Sequence, residues 1–130
     1  MGANADTVRA LYDSFASGDV PSVLATFDDK IDWQEPEGLP FENQIGPQAV
    51  AENIFGAALA NIRDFRLDVR EVVDGGDIVF GIGTYHGTGA STGVELDAEF
   101  VHVLRFGRDG KITGFRTYTD TYLWRQSLGC

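Results

Sequence analysis

Cysteine is almost missing from this chain. The one present, Cys130, is the last residue, so no disulfide can close within the chain, which is consistent with a reducing compartment. Two histidines without a Cys/His cluster exclude a structural zinc site. No run approaches the roughly 18 apolar residues of a membrane span. The opening M-G-A-N-A-D-T has no basic patch followed by an apolar stretch, so no secretory leader is expected and the protein reads as soluble and cytoplasmic. Positive charge is short as well. Ten Lys and Arg stand against 20 Asp and Glu, and a net charge of -10 repels phosphate backbones and anionic headgroups, which excludes nucleic acid and membrane as partners. Repeats, charge blocks and linkers are also lacking.

What remains is a globular composition, 43% hydrophobic with 12% aromatics, in 130 residues. That length fits one domain, residues 1–130, able to bury roughly two-thirds of its unfolded surface. Val8, Leu11, Tyr12 and Phe15 recur at helical spacing and predict a helix over residues 4–17, stopped by Gly18. Asp19 is placed to cap a shorter helix with Pro21 in its first turn and Val20, Val23, Leu24 and Phe27 on its apolar side. D-D-K-I-D-W-Q-E-P reads as a strand ended by Pro36, with Ile31, Trp33 and Glu35 on one face. Residues 36–44 have no period and read as a loop whose Leu39 and Phe41 fold over a pocket. Gly46-Pro47 opens a third helix, with Val50, Ile54, Ala57 or Ala58, and Ile62 at helical spacing and Phe55 and Leu59 beside them.

Four antiparallel strands are expected to follow. D-F-R-L-D-V-R-E-V-V-D alternates with Phe65, Leu67 and Val69 inward, then turns at Asp74-Gly75-Gly76-Asp77. The returning strand carries Gly81 and Gly83 on the face of Val79 and Tyr85. Either the missing side chains leave room for the Tyr85 hydroxyl, or the glycines mark bulges that curve the sheet. The last pair is a hairpin from Val94 to Tyr122 around G-R-D-G, with Phe100, His102, Leu104 and Phe106 on one face of its first strand and Phe115, Thr117 and Thr119 inward on its second. His102 is thus a single polar group in an apolar row. It is either a functional imidazole or a structural one bonded to a neighbour's carbonyl or hydroxyl. His86 falls on the other face and reads as surface. Glu95, Asp97 and Glu99 line one edge at a spacing of two. A solvated face explains them better than a cation site, since no fourth ligand is visible. Helices followed by strands in this order predict an α+β domain, a curved antiparallel sheet with three helices enclosing a pocket.

The runs L-Y-D-S-F-A-S-G-D-V-P-S-V-L-A-T-F-D-D-K-I-D-W-Q-E-P, I-G-P-Q-A-V and F-V-H-V-L-R-F-G-R-D-G-K-I-T-G-F-R-T-Y-T-D resemble the SnoaL-like branch of the nuclear transport factor two superfamily, which includes ketosteroid isomerases and polyketide cyclases. The resemblance covers residues 6–124. It implies a cone-shaped fold with a deep apolar pocket for a small-molecule ligand. It also implies a homodimer through the outer sheet face, here Val101, Val103, Arg105, Arg116, Tyr118 and Asp120. This fold hosts many activities and also proteins with none, so fold does not fix function.

Residue by residue, Glu35 stands where ketosteroid isomerases keep a carboxylate base before a proline. Burial at a pocket mouth would raise its proton affinity into the useful range; a solvent-facing strand end is the alternative. His102 stands where those enzymes have an oxyanion-hole acid and the cyclases often a histidine, and it would serve as a neutral donor or as a cation. Asp120 ranks behind Glu35, as a base only if a bulge flips the strand. Leu11 stands at the isomerases' oxyanion tyrosine, with Tyr12 adjacent. Gly83 and Tyr85 replace the arginine and aspartate of limonene-epoxide hydrolases, so epoxide hydrolysis is not expected, and Thr117 replaces an acidic residue of those enzymes and the cyclases, so the polyketide cyclase mechanism lacks its expected base. The ligand-binding set comprises Tyr12 and Phe15 of the first helix, Trp33, Phe55 and Leu59, and Tyr85, Phe100, Phe115, Thr117 and Thr119 of the strands. The reading needs no cofactor and no metal. It leaves three outcomes: a cofactor-free isomerase or cyclase acting by proton abstraction beside a carbonyl, a non-catalytic binder of a hydrophobic small molecule, or a dimeric scaffold with a filled core and no cavity.

Overall fold

The computed structural model describes residues 2–130; only the first residue of the expected domain lies outside it. Helix α1 (Ala3–Ala16) and the short α2 (Val20–Leu24) form the expected helical hairpin, and the Asp19 side chain caps α2 by accepting the Ser22 N–H at 3.2 Å. Six strands follow the order β2-β1-β6-β5-β4-β3 in one curved, unclosed sheet. They are β1 (Phe27–Gln34), β2 (Gln44–Ile45), β3 (Ile62–Asp74), β4 (Ile78–Gly89), β5 (Glu95–Phe106) and β6 (Ile112–Thr119). A third helix, α3, spans residues 47–61 between β2 and β3, and α4 (Thr121–Leu128) closes the chain.

The long strands alternate as their sequences require. In β5 the buried row is Leu96, Ala98, Phe100, His102, Leu104 and Phe106, while Glu95, Asp97, Glu99 and Arg105 are exposed. Helices pack against that inner face, and Val8, Val23, Ile31, Val50, Val79, Leu104 and Ile112 are fully buried between the layers. Burying such side chains stabilises by about 1.5–3 kcal/mol each, which holds the sheet curved around the helices.

Local details depart from the expectation. Phe27 opens β1 instead of ending α2, and Ile62 opens β3 instead of ending α3. β1 pairs with β6 in parallel, so the sheet is antiparallel everywhere else but not here. Gln44 and Ile45, expected to belong to loop and linker, make a small β2 against Asp32 and Trp33. In α3 the turn from Ala51 to Phe55 is π-helical, and the widened turn shifts the helical phase. Ala58 then faces inward and Leu59, expected in the pocket wall, is 52% exposed. The final hairpin strand stops at Thr119. Asp120 begins α4 by accepting the Leu123 N–H at 3.1 Å.

Candidate active site

Between α1, α3 and the inner sheet face lies a cavity of about 80 Å³. His102 forms part of its wall and is 3% exposed. Both of its ring nitrogens are engaged. Tyr12 Oη lies 2.7 Å from Nδ1 and Tyr85 Oη lies 2.6 Å from Nε2, and the Tyr85 hydroxyl continues to Thr117 Oγ1 at 3.0 Å. Phe100 stacks on the imidazole with centroids 4.1 Å apart. Burial pushes the imidazole pKa down to about 3, which favours the neutral ring over the cation at ordinary pH. A neutral imidazole has one N–H and one bare nitrogen, so one phenol accepts and the other donates. When Nδ1 carries the hydrogen, Tyr12 keeps its own O–H free for the cavity. Burial raises both phenols' pKa, which keeps them protonated donors.

Tyr12 reaches this position because Gly81 gives way. Gly81 pairs across the sheet with His102, and a Cβ on it would overlap the Tyr12 hydroxyl. The glycine therefore makes room for a phenol from another element rather than for Tyr85. At Gly83 a Cβ would overlap the carbonyl oxygen of Asp68, and the β3–β4 register shifts just beyond, between Val69 and Glu71. The two expectations for this pair are thus divided between its members, room at Gly81 and a bulge beside Gly83.

Glu35 follows the last residue of β1 and lines the same cavity. The Trp33 indole N–H donates to Glu35 Oε2 at 2.6 Å, and the Glu35 backbone N–H donates to Asn43 Oδ1 at 2.8 Å. Burial raises the carboxyl pKa to about 7, against the opposing pull of the Trp33 bond. Burial, chiefly, and the Glu35 charge raise the Tyr85 pKa as well. Trp33 is fixed by Phe115, with rings stacked 3.6 Å apart.

Tyr12, Phe15, Trp33, Phe55, Tyr85 and Phe115 therefore line the cavity as the sequence predicts, with Glu35 and His102. Phe100 and Thr117 stand behind the wall, in contact with Tyr85. Phe100 and Thr117 are thus displaced from the expected lining by one layer, and three further residues lie away from the cavity altogether. Leu59 faces solvent because of the π-helical turn. Thr119 lies outside the cavity lining, and its hydroxyl donates to the Glu99 carbonyl at 2.6 Å. Asp120 is exposed and occupied as the α4 cap, outside the cavity lining and past the end of β6.

Phe41 does fold over the cavity, packed edge-on against Trp124 with centroids 5.7 Å apart. Trp124 itself was hidden from the sequence reading because T-Y-T-D-T-Y looks like continuing strand. The only available signal was Asp120 as a helix cap. On the outer face, Glu99 pairs with Arg70 at 3.1 Å and Asp97 with His86 at 3.4 Å. Among the described residues no group of three or more His, Cys, Asp or Glu is placed to hold a metal. No described helix is long and apolar enough to cross a membrane.

Among curated proteins no sequence matches. Solved structures do. An NTF2-like protein of unknown function from Burkholderia pseudomallei is 28% identical, with a TM-score of 0.90 over 100% of both chains. TerC, co-crystallised with polyporic acid, is 25% identical, with a TM-score of 0.86 over 98% of this chain and 99% of its own. A protein from Jannaschia described as a SnoaL-like polyketide cyclase shares the fold at 19% identity, with a TM-score of 0.82 over 98% of this chain and 92% of its own. The SnoaL-like domain profile matches residues 8–115, most of the sequence, and the chain belongs to that family.

Proposed function

We propose that the cavity binds a small apolar carbonyl compound and moves a proton on it. The carrying observation is that a carboxyl whose pKa burial raises to about 7 and a phenol backed by a neutral imidazole line one small apolar space. A base that titrates near neutrality is half ionised at working pH, where proton abstraction is most efficient. The Glu35 carboxylate takes a proton from the carbon next to the carbonyl. The C–H electrons form a C=C bond and the carbonyl π electrons move to oxygen. The Tyr12 O–H, its own oxygen held by His102 Nδ1–H, donates to that enolate oxygen. Return of the proton from Glu35 to a conjugated carbon completes an isomerisation, with no net gain or loss of electrons.

A simple probe of this class is 3-cyclohexenone, which enters once an aromatic of the cavity wall shifts, and whose conversion to the conjugated 2-isomer is read by ultraviolet absorbance and by deuterium uptake. The wild-type chain should accelerate conversion over buffer. Glu35→Gln should lower the rate about a hundredfold or more and Tyr12→Phe by a smaller factor. Wild-type protein that leaves both readouts at the buffer rate would sink the reading.

A second reading, binding without chemistry, is favoured by one observation. The free volume is about 80 Å³, below the roughly 150 Å³ that admits benzene elsewhere, so aromatic side chains fill most of the hollow. Bound probe recovered with no deuterium incorporated selects this second reading. The co-crystallisation of a relative with a small organic acid supports a ligand in either case.

The outer sheet face supports a homodimer. It carries a concavity of about 350 Å³ bordered by Ile78, Phe80, Val103, Arg116 and Tyr118, and Arg116 Nε is buried there without an acceptor. Light scattering should give twice the chain mass for wild type and the single mass for Tyr118→Glu; a wild-type monomer at high concentration removes the proposal.

A further inference from the structure

Two indoles line the cavity and their N–H groups differ. Trp33 Nε1 donates to Glu35 at 2.6 Å, while Trp124 Nε1 is buried with no acceptor in a side chain 4% exposed. An unsatisfied buried donor is a standing cost that natural structures seldom carry without a reason. Three aromatics pack on this donor's ring, Tyr85 with centroids 5.1 Å apart, Phe41 at 5.7 Å and Phe65 at 5.9 Å, and of these only Phe41, which is 8% exposed, is carried by a loop rather than by a sheet strand. Phe41 rides on residues 36–43, a segment stiffened by Pro36 and Pro40. Its side-chain hydrogen bonds among the described residues are Asn43 Oδ1 accepting the Glu35 N–H and the Glu42 carbonyl accepting the Gln44 amide N–H. Phe41 is therefore a large apolar side chain carried into the cavity by a loop with few polar anchors. The remaining space, about 80 Å³, does not admit a ring until something moves.

We infer that Phe41 is a stand-in for the far end of the ligand. When the 36–43 segment swings out, a second aromatic ring takes the place of the phenyl group, and the Trp124 indole N–H donates to an acceptor oxygen on that ring. The ligand class is a flat, two-ring aromatic ketone with its carbonyl at the Tyr12 end and a hydroxyl or keto oxygen at the other. This rests on the cavity holding a carbonyl ligand, but not on proton transfer taking place there.

The chain has two tryptophans, so its ¹H–¹⁵N spectrum shows two indole signals, assigned by Trp33→Phe and Trp124→Phe. In the free wild-type protein the Trp33 proton should lie downfield, bonded to a carboxylate, and the Trp124 proton upfield. Adding 6-acetyl-2-naphthol should move the Trp124 signal downfield, whereas 2-acetylnaphthalene, which lacks the second oxygen, should not. The naphthol should bind about three- to tenfold more tightly than the control, the worth of one hydrogen bond, and Trp124→Phe should abolish that advantage. Phe41→Ala should tighten both ligands. The inference is overturned if the Trp124 signal is already downfield in the free protein, if both ligands move it alike, or if Phe41→Ala leaves both affinities unchanged. The wild-type spectra decide even where a variant fails to fold. None of these readouts depends on Glu35 chemistry, so loss of isomerase activity with an intact Trp124 response separates this inference from the catalytic reading.

Discussion

His102 and Glu35 share one cavity and differ in almost every other respect. The histidine sits mid-strand on β5, flanked by β4 and β6, stacked on Phe100 and held at both nitrogens by phenols. The glutamate sits just past the end of β1, before a proline, with one carboxylate oxygen bonded to Trp33. Burial drives both toward neutrality, the imidazole down to about 3 and the carboxyl up to about 7. The difference lies in what each can then do. A group saturated with partners at the centre of a sheet is a fixture, whereas one at a strand end beside a loop is free to exchange a proton.

The largest break in this comparison should come from His102→Ala. It leaves two phenol hydroxyls without their shared partner and opens a void, and should cost about 3–5 kcal/mol in denaturant unfolding. A loss below about 1 kcal/mol would show that the imidazole is not the fixture described.

Glu35→Gln should act less on stability than on its pH dependence. The folded carboxyl, at about 7 against an ordinary 4.5, binds its proton more tightly than the unfolded one. Its contribution is complete below the unfolded value and is lost as pH rises through about 7. Wild type should therefore weaken between pH 5 and pH 8 relative to the glutamine variant. His102 has the opposite slope, since a depressed pKa gives stability that is present above the ordinary 6.5 and lost as pH falls toward about 3. Parallel wild-type and Glu35→Gln melting curves across neutral pH would contradict the placement of Glu35.

The smallest effect belongs to the carboxylate outside the cavity. Asp120→Ala should cost about 1 kcal/mol through the lost α4 cap and leave conversion of the ketone probe unchanged. A loss of turnover would return Asp120 to the site.

Much of this was legible from the sequence, and the boundary between what was and was not has a physical basis. Period-two alternation placed His102, Phe115 and Thr117 on the inner face, and Pro36 fixed where β1 ends, so Glu35 faced the hollow by parity alone. Side-chain period is local information. Contacts between elements far apart in the chain are not, which is why the parallel β1–β6 pairing and the Tyr12–His102 bond had to be seen in three dimensions. Leu59 was lost to a helical turn wider than the usual period. Asp120 and Trp124 were lost because β-branched and aromatic residues run past the strand end, and the cap was read as one more strand position.

Gly81 carries a consequence beyond its own strand. The space opposite His102 accommodates one group only, the phenol of α1 or a side chain of β4. Two positions remote in the sequence thus amount to a single steric alternative. A methyl group added on the sheet would evict the helix's hydroxyl from its seat, and the imidazole would then lose its contact on the Nδ1 side without any change to itself.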